Sequence, residues 1–264
     1  MATKEQAIMR KKYRMTDETI EVHGHTLHRV EALTDIPLAS LANVKKGDKG
    51  GFIESEENLS QDGNCWVGGK AQVFDKAQVF GNARVGGNAE VFDNVRVFGN
   101  AEVFDTAHVC GNAQVYDNAQ VFWHACISGD AVASGNATVY GDVQVFGNAW
   151  VDGNAQVSGN AKVCGNAWVY GDVHMGGNTQ VSDSAEVYDN AYVYGNTKVD
   201  GDAHVSGNAW VVGHAHVGGN AKVYGNAIVD GGSHVFGHAQ VDGDAQVSGN
   251  TVVSGTTKLS GESA

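Results

Sequence analysis

Between Val67 and Leu259 an apolar residue recurs every six residues without a single insertion. Of these 33 positions 29 are Val, and the exceptions are Ile127, Ala133, Met175 and Leu259. Four residues after each comes a small residue, mostly Ala, and between them stands Gly or Asp, usually followed by Asn, as in "VSGNAKVCGNAWV" (157–169). The unit is V-x-[GD]-N-A-x. In an extended segment successive side chains point to opposite faces, so A-x-V-x sends Ala and Val inward and both x residues outward. Gly-Asn and Asp-Asn then supply a corner, because Gly, Asn and Asp tolerate positive φ where Val does not. A six-residue period with a breaker in every unit matches no 3.6-residue helical face, which excludes helix. Each hexad therefore reads as one short strand and one corner, and the 36 glycines are a scheduled turn rather than a mark of disorder.

This pattern resembles the hexapeptide repeat of left-handed parallel β-helices, an all-β fold in which three hexads close one triangular coil of about 18 residues. The resemblance implies about 11 coils for 33 hexads and a rod on the order of 50 Å long. Ahead of the repeat, "KYRMTDETIEVHGHTLHRVEALTDI" (12–36) reads as a β-hairpin turning at His23-Gly24. The entry string "VKKGDKGGFIESEENLSQDGNCWV" (44–67) follows it. Together these resemble the start of YdcK-like bacterial and phage β-helix proteins, which carry a transferase label by fold analogy. The present chain departs from them in the regularity of its repeat, which has no loop excursions. The spacing from Leu59 to Val67 is eight rather than six. The division expected is a hairpin and capping segment over 1–66 and a hexapeptide-repeat β-helix over 67–264, the former covering strand edges that would otherwise invite aggregation.

Net charge is −13. Nucleic acid and anionic membranes are bound through cationic groups, so an acidic rod is a poor partner for either. No apolar run is long enough to span a bilayer, and "MATKEQAIMRKKYRM" lacks the apolar stretch of a secretory signal. The four cysteines have no paired spacing, which fits a reduced, cytoplasmic setting. No cofactor is expected, since no phosphate-binding motif occurs among the glycines.

Candidate chemistry is sparse. At 18-residue spacing Glu90, His108 and Cys126 stack on successive coils, the order a Cys-His-carboxylate arrangement needs, although a flat face supplies no oxyanion hole. His216 and His234 stack with His214 nearby, which makes them the candidates for a metal, without an evident fourth ligand. The remaining repeat histidines read as solvated variation. The outward position after each inward apolar residue is more telling. Seven of nine such positions from 74 to 122 are aromatic, against seven of 23 from 128 to 260. Phe80, Phe98 and Tyr116 fall in one predicted ladder and Phe104, Phe122 and Tyr140 in another, while Trp123 stands alone in a corner place otherwise held by Gly or Asp. An apolar surface on a soluble rod calls for a cover: the amino-terminal segment, a second or third copy of the chain, or another ligand.

The reading that follows is a non-enzymatic binding or scaffold protein. It is rigid, acidic and homo-oligomeric (trimer or dimer), and it has a host or other protein as a further partner. Phe80, Phe98, Phe104, Tyr116, Phe122 and Trp123 are its binding residues. The alternative is an acyltransferase-like enzyme at a subunit cleft, and a third reading is an acidic mimic of nucleic acid.

Overall fold

The structure, a computed structural model, describes residues 11–38 and 43–261. The first ten residues, which bear on the absence of a secretory signal, lie outside the described residues.

Every hexad forms a short strand that pairs in parallel with the strand 18 residues away, as in Val91 with Val109 and Val109 with Ile127. Three sheets result. Face A runs from Lys49–Ile53 and Gln72–Val73 to Val252–Val253, face B from Trp66–Val67 to Gln246–Val247, and face C from Gln78–Val79 to Lys258–Gly261. The three sheets wind into a β-solenoid of about 12 turns. This exceeds the 33-hexad count because Ile53 and Leu59 already stand in register, opposite Val73 and Val79. The two residues added between Leu59 and Val67 are absorbed before Val67 pairs with Val85.

The interior is what the unit dictates. The inward Val and Ala side chains form one continuous buried column from Val67 to Val253. Fully burying a Val is worth roughly 1.5–3 kcal/mol, so the column is the main source of stability. Corner residues take positive φ, at Gly and also at Asp75, Asp93, Asp105, Asp117, Asp183 and Asp189. At Asp75, Asp93, Asp105, Asp183 and Asp189 the carboxylate accepts the next coil's corner N–H, as Asp93 does from Gly111 (2.9 Å). The following Asn side chains form a ladder of their own: Asn82 donates to Asn100, Asn100 to Asn118, Asn118 to Asn136 and Asn136 to Asn154. The corners are thus hydrogen-bonded along the rod as the strands are.

At the amino-terminal end β1 (Tyr13–Val22) and β2 (His25–Ala32) form the antiparallel hairpin expected, with His23 (φ 50°) and Gly24 (φ 89°) at its turn. β2 pairs with β3 (Lys49–Ile53), which in turn joins the first repeat strand of face A. The hairpin therefore occupies the sheet edge that would otherwise be open. Lys12 is buried, and its ammonium donates to the carbonyls of Asp62, Gly63 and Cys65 at 3.0–3.2 Å. All three carbonyls belong to the irregular entry turn, and a single Lys with three donors reaches each of them. No helix among the described residues is long and apolar enough to cross a membrane.

Candidate functional site

Of the two predicted aromatic ladders, the first forms in full and the second in part, each on its own face. Phe80, Phe98 and Tyr116 stack on face C with centroids 4.9 Å apart, and Arg96 lies over the first two rings. On face B Phe122 stacks on Tyr140 at 5.3 Å, and Phe104 on the coil before it is covered by Arg84. On face A Phe74 stacks on Phe92 beneath the hairpin, packed with Leu27 and Phe52 and backed by Ile20 and Val22. Among the described residues the hairpin thus covers the face A pair.

Exposure does not follow the density of aromatics. Stacked rings cover one another and Arg84 covers Phe104, and Phe80, Phe98, Phe104, Tyr116 and Phe122 are each only partly exposed. Two rings are left open by small neighbours above and below, whereas Trp168 and Trp210 are open although each stacks on one neighbour, Trp150 and Tyr192. Phe146 lies between Ser128 and Cys164, and Phe236 between Gly218 and Ser254; both are exposed, as are Trp123, Trp168 and Trp210. The apolar surface is therefore not confined to the first half of the rod.

Face B stands out for another reason. From Gln120 to Ile228 none of its outward strand positions is Asp, Glu, Lys or Arg. Faces A and C carry charges over the same stretch, including Lys162 and Asp200 on A and Asp152 and Glu186 on C. The uncharged strip holds Phe122 and Tyr140 near one end, and Tyr192, Tyr194 and Trp210 near the other. Tyr192 stacks on Tyr194 at 4.3 Å and on Trp210 at 4.7 Å. At its margin Trp123 projects from the corner, 53% exposed, edge-on to Phe122 and Tyr140. Its φ is +63°, a conformation that a bulky residue adopts only at a cost of about 1–3 kcal/mol. Aromatic enrichment in the sequence drew attention to residues 74–122. The missing charge, visible only once strands are sorted into faces, identifies the longer surface.

The Cys-His-carboxylate column is in register: Glu90 pairs with His108 and His108 with Cys126, and the His108 ring lies 3.4 Å from the Glu90 carboxylate. Burial pushes the Cys126 thiol above its ordinary value, against a weaker hydrogen bond with Ser128, so the sulfur stays protonated at neutral pH. A protonated thiol on a flat sheet is a poor nucleophile. A cavity of about 290 Å³ lies elsewhere, lined by residues that include Arg84, Glu102, Asn82 and Asn100 but no histidine.

His216 and His234 meet edge to face at 5.7 Å, while His214 sits exposed at a corner. A carboxylate is present after all: Asp200 lies 2.9 Å from the His216 ring. Burial would raise Asp200, but hydrogen bonds from Lys198 and His216 outweigh it and hold the carboxyl below its ordinary value. Lys198, 2.7 Å from Asp200, already neutralises the charge a metal would need.

A cluster absent from the sequence reading joins three separate segments. His25 opens β2, Glu54 follows β3 and Asp75 is the corner after the first repeat strand of face A. One ligand atom from each lies within 4.8 Å of the other two. Spacings of 29 and 21 residues across an irregular entry segment give no periodic signal, which is why sequence alone did not bring them together.

By fold and repeat the chain is a β-solenoid repeat protein. A family model described as the YdcK β-solenoid repeat matches residues 155–171, in the middle of the rod. Comparison with curated proteins returns no match.

Proposed function

We propose that this chain is a non-enzymatic binding and scaffold protein that self-associates through face B. The observation carrying this reading is the charge-free aromatic strip on an otherwise acidic rod. Rods of net charge −13 repel one another, and close approach is least unfavourable where neither surface bears charge. Burying exposed Trp and Tyr supplies the area and geometry that anchor interfaces. Trp123 fits the same role: a strained corner brings no packing return inside the rod, whereas an exposed ring at the margin of the strip gives an interface an anchor.

Sedimentation velocity on the native chain and three variants tests the reading. Trp210→Ser and Trp123→Gly shift the native assembly toward monomer with little loss in melting temperature, while Trp168→Ser on face C leaves it in place. Unchanged sedimentation in both face B variants contradicts the proposal. The acyltransferase reading has the Glu90–His108 pair in its favour, and a rise in melting temperature with an acyl-coenzyme A would turn the account toward it. A host protein as occupant of the strip is the outcome to pursue if the native chain is monomeric.

A further inference from the structure

We infer that His25, Glu54 and Asp75 form a divalent transition-metal site, with zinc the ion its donor set suits, which ties the hairpin to the solenoid. One imidazole nitrogen and two carboxylate oxygens are borderline-hard donors of the kind zinc accepts, and three protein ligands leave a fourth vertex for water. Each of the three side chains is about one-third exposed, open enough for an ion to enter and for that water to sit.

Electrostatics favours an ion here. The His25 ring lies between the two carboxylates, 3.0 Å from Glu54 and 3.6 Å from Asp75. Among the described residues neither carboxylate has a Lys or Arg in ion-pair contact. Two negative charges therefore share one imidazole, and with the ring neutral nothing offsets them. At Asp200 the equivalent place is taken by the Lys198 ammonium, which is why that cluster does not compete. The arrangement is also held in place. Glu54 accepts the Asp75 backbone N–H at 2.7 Å, Asp75 accepts the Asp93 N–H at 3.3 Å, and Phe74 lies 5.2 Å from the His25 ring. Backbone and packing contacts of this kind aim ligands before an ion arrives. Because the three ligands come from the hairpin, the entry segment and the repeat, an ion bound by all of them stabilises the docked hairpin.

Titration calorimetry of the full chain with zinc chloride at pH 7.5 in chelator-treated buffer is the test. The expected result is one ion per chain, with a zinc-dependent rise in melting temperature. His25→Ala removes both effects, and the near-isosteric Glu54→Gln and Asp75→Asn each weaken binding at least about 10-fold. His216→Gln leaves binding intact. Lowering the pH to 5.5 weakens zinc binding, because a proton on His25 competes with the ion. Absence of stoichiometric binding in the native chain overturns the inference. So does zinc binding that survives unchanged in Glu54→Gln and Asp75→Asn, variants whose fold circular dichroism can verify independently of His25→Ala.

Discussion

At the scale of single residues the repeat leaves little freedom, and the corner glycines show how little. A Cβ added at Gly159 (φ +71°) would lie 2.8 Å from the backbone N and O of Gly177 on the next coil, whereas at Gly255 (φ +66°) it meets nothing within 4 Å. Both substitutions carry the left-handed penalty of about 1–2 kcal/mol, but only the first also forces two coils apart. Gly159→Ala is expected to lower the melting temperature clearly more than Gly255→Ala; equal effects would mean the coils do not stack this tightly. The inward small position gives a second case. Thr179 satisfies its hydroxyl on the Gly176 carbonyl at 2.7 Å, but the buried Ser233 hydroxyl has no partner among the described residues. Ser233→Ala, which restores the commonest residue at that place, is expected to stabilise the chain by about 1 kcal/mol in denaturant unfolding. These consequences were legible in advance, because V-x-[GD]-N-A-x states which residues face inward and which turn. The positive φ at Trp123 could be inferred from its place in the unit, whereas the direction of its ring could not.

At the scale of elements the hairpin and the rod meet through groups that titrate. The hydrogen bond with Glu54 is the main reason His25 is held above its ordinary 6.5, and the same bond with His25 holds Glu54 below its ordinary 4.5. The raised His25 contributes stability that is complete below 6.5 and is lost as pH rises through its folded value. The lowered Glu54 contributes stability that is complete above 4.5 and is lost as pH falls through its folded value. In the absence of metal, hairpin attachment is therefore expected to be strongest between those two values. Hydrogen exchange of β1 and β2 amides across pH 4 to 8 should show maximal protection there, and Glu54→Gln should flatten the profile. Protection that climbs steadily to pH 8 in metal-free protein would contradict the arrangement. The hairpin itself was readable from its alternation and its His-Gly turn. Its partners on face A were not, because they depend on how the irregular segment between Leu59 and Val67 is folded.

At the scale of the molecule, sorting one strict repeat onto three faces turns a uniform sequence into an asymmetric rod. Phe80, Phe98 and Tyr116 belong to one face and Phe104 and Phe122 to another, so the density of aromatics along the chain did not describe a surface. Charge did, once the 18-residue register assigned each position to its sheet. The hairpin covers Phe74 and Phe92, faces A and C keep their charges, and face B is left uncharged from Gln120 to Ile228. Small-angle X-ray scattering on an absolute scale tests self-association through that face most directly, since it reports mass and cross-section together. About 12 turns at roughly 4.8 Å give a rod on the order of 60 Å long. The account predicts a particle of two or three times 27.7 kDa whose cross-section is wider than one solenoid while its length stays near that of a single rod. A particle of 27.7 kDa with the cross-section of one solenoid, at concentrations well above micromolar, would contradict it.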